Sequence, residues 1–410
     1  MQWRDPGASA RKILLAGDVA PNVVNIDAIL GIGVENIFAG VKPFFDAADL
    51  SIVQWETPLA EESECAPIAK SGPNLVCPPR GMKILECLGA DVALLANNHV
   101  GDQGGRAVTG TIRAIESAGI RTVGAGEDLA AASAPLRLDL GGLKLSLINA
   151  AEHEFGTATR HAPGAAPLDV PEVMKLIRAE RSAGYRVLVA LHGGHEYDPY
   201  PSPRMAKLFR MFAAGGADAV FNCHTHCPEG TEVYDGVPIV YSPGNFYFPL
   251  RNEEKMPLPT WFLGYLTILG IDEAGAFSLE TVPYRFSKER VSPLAGEGRA
   301  RFDEYMATLS RPLGDMAELE RLFDLWSVSH GFNYVRGAMK KSAAAGLDFS
   351  NPETVKSFLA FRNTHTCESH CDMLGAFFRL AERGLIPAEP KPAEELALLQ
   401  QGPVSLSCGR

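Results

Sequence analysis

Histidine, asparagine and carboxylate side chains follow several apolar runs of this 410-residue chain. His224 and His226 stand one residue apart, just after the apolar run 217–221. Imidazole is the commonest neutral metal ligand, and a His-x-His pair at a strand end can direct two ring nitrogens into one cleft. The pair indicates a metal site, and two solvated loop histidines are the alternative when the pair is considered alone.

Four further apolar runs end in the same kinds of residue. Asp18 follows the run 12–16, Glu56 follows 50–54, Asn98 and His99 follow 91–96, and His192 follows 186–191 with Glu196 nearby. In layered α/β proteins, ligands bind outside the carboxyl ends of the strands. Because Asp, Glu, Asn and His are typical ligands of divalent cations, the five ends together favour a metal centre over chance.

Two metals fit these residue types better than one. A carboxylate can bridge two cations about 3.5–4 Å apart, and such a pair can hold both the attacking and the leaving oxygen of a displacement. Asp18 or Glu56 is the candidate bridge. A hydroxide from metal-bound water would be the nucleophile, and His99 could protonate the leaving group.

Apolar runs of strand length alternate with segments of helical period in the first 222 residues, at 80–88, 106–117, 171–182 and 203–213. This alternation predicts an α/β layered core with largely parallel strands. The runs 237–242, 262–271 and 277–282 then predict antiparallel additions to a sheet. Helical periods at 317–326, 352–363 and 370–383 predict an α-helical appendage.

The predicted organisation is a catalytic domain over residues 1–298, a helical subdomain covering the cleft over 299–390, and a loosely held tail over 391–410.

A hydrophobic content of 46% with 21% charged residues is typical of a globular protein. The net charge of -11, without a basic run, argues against a nucleic-acid partner. With neither a signal segment nor an apolar stretch of about 20 residues, we expect a cytoplasmic protein without a membrane partner and with free thiols. The oligomeric state is not predicted.

Seven short motifs resemble, in order, those of the CapA family of capsule and poly-γ-glutamate synthesis proteins. That family belongs to the calcineurin-like metallophosphoesterase superfamily. The resemblance spans about residues 12 to 250, and its motifs are Gly17-Asp18-Val19, the segment 53–59 with Trp55-Glu56-Thr57-Pro58, Asn97-Asn98-His99, His192-Gly193-Gly194-His195-Glu196, His224-Thr225-His226, the segment 232–236 and Ser242-Pro243-Gly244-Asn245.

The resemblance implies a four-layer αββα sandwich with two divalent ions (Mn, Fe or Zn) at the strand ends. It assigns Asp18 and His226 to one metal, and Glu56 would bridge or share the two. The other metal takes three residues, namely Asn98, His192 and His224. His99 matches the general acid of the superfamily. The usual Asp-x-His of the first strand is Asp18-Val19-Ala20 here, as in CapA proteins, and the usual second aspartate is Glu56. One metal is therefore expected to bind weakly or to take a ligand from elsewhere.

Further residues are candidates for substrate contacts or catalysis. The loop 70–74 resembles one of a CapA subgroup, so Lys70 and Asn74 are candidates for binding an anionic substrate, with an ordinary solvated loop as the alternative. Glu152 and Glu154 are candidates either for holding a metal ligand in place or for contacting substrate. Besides His99, the candidate catalytic residues are His195 and Glu196, although His195 could equally be structural.

Two cysteine clusters raise the question of zinc. We expect Cys223 and Cys227 to be packing residues, because a Cys-His-x-His-Cys stretch cannot easily place four ligands around one ion. In the cluster His365, Cys367, His370 and Cys371, zinc is the minor alternative, because no second half-site is visible. This helix is expected to fold over the cleft, with His370 contacting substrate.

The leading hypothesis is a dinuclear metal-dependent hydrolase that attacks a phosphoester or amide bond of a small or polymeric acidic substrate. Its rival is a non-hydrolytic component of poly-γ-glutamate or capsule synthesis that binds an acidic chain in the cleft. A purely structural α/β protein would leave the five ligand-rich strand ends unexplained.

Overall fold

The computed structural model describes residues 5–7, 9–344 and 348–403, so Cys408 and the last part of the predicted tail lie outside the described residues. The strands, in chain order, are β1 Arg11–Val19, β2 Leu50–Trp55, β3 Val92–Leu94, β4 Arg121–Val123, β5 Ala125–Gly126, β6 Leu136–Leu140, β7 Leu143–Ala151, β8 Gly164–Ala165, β9 Arg186–His192, β10 Ala219–Cys223, β11 Thr231–Tyr234, β12 Val237–Val240, β13 Asn245–Tyr247, β14 Leu263–Asp272, β15 Gly275–Ser287 and β16 Arg290–Pro293. The α-helices are α1 Ile26–Ile32, α2 Val34–Phe38, α3 Lys42–Asp46, α4 Lys83–Leu88, α5 Gly104–Ser117, α6 Leu129–Ala132, α7 Val170–Ser182, α8 Pro203–Ala214, α9 Gly296–Ser310, α10 Met316–Ala344, α11 Pro352–Thr366, α12 Glu368–Glu382 and α13 Glu394–Gln400.

The strands form two large sheets and one small one. The first has the order β16-β15-β14-β1-β2-β3-β4, with β13 beside β1, and the second has the order β11-β12-β10-β9-β7-β6. In the first sheet β1 to β4 run parallel, and in the second β7, β9, β10 and β12 run parallel. The predicted parallel strands are confirmed in both sheets.

Alternation of side chains along β1 explains why the sheets stack between helices. Ile13 and Leu15 belong to the core that contains the second sheet with α7 and α8, whereas Leu14 and Ala16 belong to the core under α1 to α5. Since successive side chains of a strand point to opposite faces, each apolar face of the sheet needs its own partner layer. The result is the predicted four-layer αββα sandwich.

The C-terminal helices pack on the side of the second sheet. Phe302 of α9, Trp326 of α10 and Met373 of α12 all belong to the same hydrophobic core as that sheet. The predicted helices of this region are confirmed. Helix α10 extends beyond the predicted 317–326 and ends at residue 344. Among the described residues no helix is both long and apolar enough to cross a bilayer.

Two details of the predicted organisation are wrong. First, β12 pairs antiparallel with β11 but parallel with β10, so it extends the second sheet as a parallel strand. Second, the tail is not loosely held as far as residue 403. It forms α13, where Leu396 is buried and the carbonyl of Gln400 accepts a hydrogen bond from Thr260. Leucines of this segment pack against the rest of the protein, and the sequence alone does not show which surface they contact. The domain boundary at residue 298 stays a prediction.

Candidate metal centre

The carboxyl ends of the central parallel strands of both sheets meet in one buried region. Asp18 is the last residue but one of β1, Glu56 follows β2, and Asn98 follows β3. His192 ends β9, and the two remaining histidines follow β10. Each of the six predicted metal ligands is at least nine-tenths buried. The structure therefore brings together Asp18, Glu56, Asn98, His192, His224 and His226.

Nε2 of His192 lies at the centre of the first group of ligand atoms. It is 3.1 Å from Oδ1 of Asn98, 3.1 Å from Nδ1 of His224 and 3.3 Å from Oε1 of Glu56. Atoms about 2.1 Å from one ion in tetrahedral or octahedral geometry lie roughly 3.0–3.4 Å apart. Burial, together with the neighbouring His192, lowers the pKa of His224 to about 3, so its ring is neutral and offers a lone pair. This donor set fits a divalent cation.

Asp18, Glu56 and His226 form a second group of ligand atoms, all within 4.8 Å of one another. Burial and then the adjacent Glu56 carboxylate raise the pKa of Asp18 well above its usual range. Oδ1 of Asp18 and both carboxylate oxygens of Glu56 have no hydrogen-bond partner. Buried carboxylate oxygens without a donor are costly, and a cation is the partner that would satisfy them. Because Glu56 belongs to both groups, it is the residue placed to bridge.

Partners outside the two groups orient the ligand histidines. Nδ2 of Asn245 donates to the carbonyl of Trp261, so its Oδ1 must accept the bond of 2.8 Å from Nδ1 of His226. That leaves Nε2 of His226 with the free lone pair. Oε1 of Glu154 lies 3.5 Å from Nε2 of His224, on the opposite side of the ring from His192. Such outer contacts set the tautomer of a ligand histidine.

The backbone at the histidine pair is strained. The φ angle is 104° at His224 and 56° at His226, and residues other than glycine rarely adopt a positive φ. Strain of this kind persists where surrounding contacts require it, and it concentrates at functional sites. Here the turn allows both rings to face the strand ends.

Gly17 allows β1 to approach the loop that carries Asn245. A Cβ at Gly17 would lie 2.0 Å from the carbonyl oxygen of Gly244, and the register of β1 shifts at this point. The close approach seats Asp18 opposite Asn245.

Gly17→Ala is expected to lower the free energy of unfolding by about 1–3 kcal/mol, because the added methyl must push apart two backbones. Urea unfolding measures the loss. Gly31→Ala is the matched control, since a Cβ at Gly31 meets nothing within 4 Å. Equal stability of the Gly17→Ala variant and wild type would contradict the described packing.

His99 is held by a carboxylate that the sequence analysis missed. Its Nδ1 lies 2.6 Å from Oδ2 of Asp102, which is fully buried and also accepts a bond from Lys70 at 2.5 Å. Because a carboxylate only accepts, Nδ1 carries the hydrogen and Nε2 is left to exchange a proton. The spacing His99-x-x-Asp102 is the signal that could have found this pair.

A cavity of about 400 Å³ opens beside the ligands. The strand-end region contributes Asn98, His99, Glu154 and His224, and two loops contribute Lys70, Ser71, Gly72, Pro73, Gly194, His195, Glu196 and Tyr197. The opposite side, called the helical wall below, consists of Trp326, His330, Tyr334, Asn363, His370 and Met373. Among these wall residues, sequence reasoning identified only His370.

Three predicted site residues either lie outside the cavity lining or already have a hydrogen-bond partner in the protein. Asn74 is exposed and donates to the carbonyl of Ile68, away from the lining. His195 does line the cavity, but its Nε2 lies 2.7 Å from the carbonyl of Ser369, and burial lowers its pKa to about 4. Glu152 is outside the lining. Its carboxylate accepts bonds from Arg204 at 2.5 Å and from the N–H of Ser369 at 3.2 Å. Glu152 therefore ties the end of β7 to the start of α12.

Glu152 should make folding sensitive to acid. Burial by itself raises the pKa of Glu152, but Arg204 and Ser369 outweigh burial and hold that pKa at about 2, below its ordinary value. A lowered pKa in the folded state stabilises the protein above the ordinary carboxyl pKa, and this contribution is lost as the pH falls toward 2. Glu152→Gln is therefore expected to destabilise the fold by on the order of 3 kcal/mol at pH 7 and by much less near pH 2.5.

Urea unfolding of wild type and variant at the two pH values tests this expectation. Glu172→Gln is the control, since Glu172 pairs with Lys175 at an exposed position. A stability difference that is the same at both pH values would contradict the assigned role of Glu152.

The two cysteine clusters differ from a zinc site. Cys223 and Cys227 are buried free thiols, and Sγ of Cys227 donates to the carbonyl of Asp198. In the second cluster His365 and Cys371 are exposed, whereas Cys367 is buried against Glu152. The close ligand group that includes Cys367 contains Glu152 and Glu368, not the neighbouring histidines.

In comparisons with known proteins, residues 12–250 match the family model described as "Bacterial capsule synthesis protein PGA_cap". The "PGA biosynthesis protein CapA" of Bacillus subtilis is 29% identical over 53% of this chain and 57% of its own length. The "Capsule biosynthesis protein CapA" of Bacillus anthracis is 28% identical over 53% of this chain and 54% of its own. The chain thus spans little more than half the length of these two relatives. A "Probable polyglutamine synthesis accessory protein" of Mycobacterium tuberculosis is 29% identical over 60% of this chain and 68% of its own.

Among solved structures, a hypothetical protein from Thermus thermophilus matches with a TM-score of 0.42 and 16% identity, over 67% of this chain and 99% of that one. A 5'-nucleotidase precursor from the same organism matches with a TM-score of 0.38 and 12% identity, over 69% of this chain and 56% of that one.

Proposed function

This chain belongs to the bacterial capsule synthesis protein family PGA_cap, and from that premise we propose that it is a metal-dependent hydrolase with two divalent cations. One observation carries the proposal. The fully buried Glu56 is shared by two groups of ligand atoms, and neither of its carboxylate oxygens accepts a hydrogen bond, although Nε2 of His192 lies 3.3 Å from Oε1. The bond attacked would be a phosphoester or an amide of an acidic substrate.

The proposed residues divide into holders of the cations and movers of protons. Asp18 and His226 would hold one cation, and Asn98, His192 and His224 the other, with Glu56 between them. Bound cations would supply Lewis-acid activation of water and of a substrate oxygen near neutral pH. Their identity is open among Mn, Fe and Zn.

His99 is the proposed general acid. It lines the cavity next to Asn98, and its hydrogen bond to Asp102 fixes the ring so that Nε2 can deliver a proton to a leaving group. Glu196 lines the same cavity and is exposed, so it remains a candidate for a second proton transfer.

A second candidate function follows from the names of the relatives. The two Bacillus relatives are named as biosynthesis proteins and the mycobacterial one as an accessory protein, which fits a cavity that binds an acidic chain without cleaving it. In that case the cations would serve to bind carboxylates.

Metal analysis together with turnover separates these functions. After expression with added Mn, Fe, Co or Zn, we expect about two equivalents of metal per chain, and less than about half an equivalent would contradict the metal centre. A panel of phosphoesters and amides should then show turnover that is lost in His192→Ala. His161→Ala, at an exposed position, is the control. Metal binding without any turnover would favour the non-hydrolytic function.

A further inference from the structure

Three residues that carry hydrogen-bond acceptors line the cavity from its strand-end region, a loop and the helical wall, namely Glu154, Glu196 and Asn363. We call these three residues the acceptor cluster. Nδ2 of Asn363 points to Oε2 of Glu154 at 3.5 Å, while Oδ1 of Asn363 has no partner although the residue is only 5% exposed. A buried polar atom without a partner calls for a ligand or a water that supplies the missing bond.

The orientation of the Asn363 amide is fixed by its neighbour. Exchanging the oxygen and nitrogen would place Oδ1 against the carboxylate of Glu154, two acceptors facing each other. The oxygen of Asn363 is therefore the buried acceptor that lacks a donor. Glu154 faces Nδ2 of Asn363 and Nε2 of His224, each at 3.5 Å, and its carboxylate, like that of Glu196, keeps further lone pairs for donors of a ligand.

Tyr334 adds a fourth acceptor through a chain of hydrogen bonds. Nδ1 of His370 lies 3.1 Å from the carbonyl of Asn363, so this nitrogen must donate. Nε2 of His370 is then an acceptor, and the hydroxyl of Tyr334, 3.1 Å away, donates to it. The hydroxyl oxygen of Tyr334 keeps its lone pairs for a donor in the cavity.

The charges of the lining also disfavour a ligand that is only anionic. Among the described residues that line the cavity, Lys70 is the one lysine or arginine, and its ammonium already pairs with Asp102. Burial raises the pKa of Tyr334 most, and the carboxylates of Glu196 and Glu154 raise it further. Both carboxylates therefore lie near the Tyr334 hydroxyl on the helical wall. The cavity near Tyr334 is therefore negative and rich in acceptors.

We infer that the acceptor cluster binds a protonated primary amine carried by the substrate. An ammonium group has one positive charge and three donors, which the two carboxylates and the hydroxyl oxygen of Tyr334 can accept. A third metal ion is the less suitable occupant. Among the described residues, Glu154 and Glu196 belong to none of the three groups whose ligand atoms lie close enough together to hold one cation. The inference rests on the proposed function only in taking this cavity as the substrate site.

Calorimetric titration with two probes tests the inference. Tri-γ-glutamate with a free amino terminus and the same peptide with an acetylated amino terminus differ in the amine alone. We expect the free amine to bind about 10- to 100-fold more tightly, both with Mn²⁺-supplemented protein and after treatment with EDTA. The preference should disappear in Glu196→Gln and in Asn363→Leu.

Glu353→Gln is the matched control, since Glu353 lies exposed on the same helix, α11, and it should keep the full preference. Glu196 is exposed, so Glu196→Gln tests the inference even if Asn363→Leu does not fold. Equal binding of the two peptides, no binding of either, or a preference that survives in folded Glu196→Gln would overturn the inference. So would an additional equivalent of Mn²⁺ that is lost in Glu196→Gln. An amine preference in a protein that hydrolyses nothing would refute the proposed hydrolase but support the amine site.

Discussion

Glu56→Gln is expected to abolish the loading of both cations and to lower turnover about 10³-fold or more. The change removes a negative charge that belongs to both groups of ligand atoms, while the amide keeps the size of the side chain. Loss of several kcal/mol of electrostatic stabilisation corresponds to this range of rate, since each 1.4 kcal/mol is a factor of ten. Elemental analysis of the purified variant and turnover on the phosphoester and amide panel measure the two effects.

Glu180→Gln provides the matched control for Glu56→Gln. Glu180 is equally buried, but it lies on α7 and pairs with Arg137, far from the strand ends. This variant should keep its metal even if it is somewhat less stable. A Glu56→Gln protein that retains two equivalents of metal would show that the carboxylate does not bridge. Retention of one equivalent would assign Glu56 to a single cation.

Asp102→Asn is expected to lower turnover about 10²- to 10³-fold while leaving the metal content unchanged. The amide can donate to Nδ1 of His99 instead of accepting from it, so the ring would carry its hydrogen on the wrong nitrogen. General acid catalysis is worth about 10²–10⁴ in rate, and His99→Ala should lose a similar amount.

The double variant His99→Ala/Asp102→Asn separates a shared role from two independent ones. If Asp102 acts by positioning His99, the double variant should be no slower than His99→Ala alone. Multiplied losses would mean that Asp102 acts by another route, such as its contact with Lys70. Since Asp102 is buried and ion-paired, thermal unfolding of each variant must accompany the kinetics.

The grouping of the candidate ligands could be predicted from the sequence because each follows an apolar run, and parallel strands place their carboxyl ends at one edge. Asn245 stood within a recognised motif, but its role is visible only when its Oδ1 meets His226. Asp102 escaped notice because it lies in a turn after His99 rather than at a strand end.

The helical wall was the part least accessible to sequence reasoning. Trp326 and Asn363 lie at the ends of predicted helical segments, and Tyr334 lies beyond them. Apolar periodicity predicts which helices form but not which helix face meets a distant loop. Glu152 was predicted either to support a metal ligand or to contact substrate, because it follows a strand and matches an acidic motif of a CapA subgroup. Its actual partners, Arg204 and Ser369, come from elements 52 and 217 residues away, and no local pattern records such pairs.

The order of these parts along the chain has a consequence for how the protein matures. The six candidate ligands lie in the segment from Asp18 to His226, whereas the helical wall begins at Trp326. Because a nascent chain emerges from its N-terminus, the complete ligand set leaves the ribosome about a hundred residues before the wall does. A cation for the proposed centre would therefore reach the candidate ligands from open solvent during synthesis. The bond between Glu152 and Ser369 then fixes the start of α12, the helix that carries His370 of the helical wall.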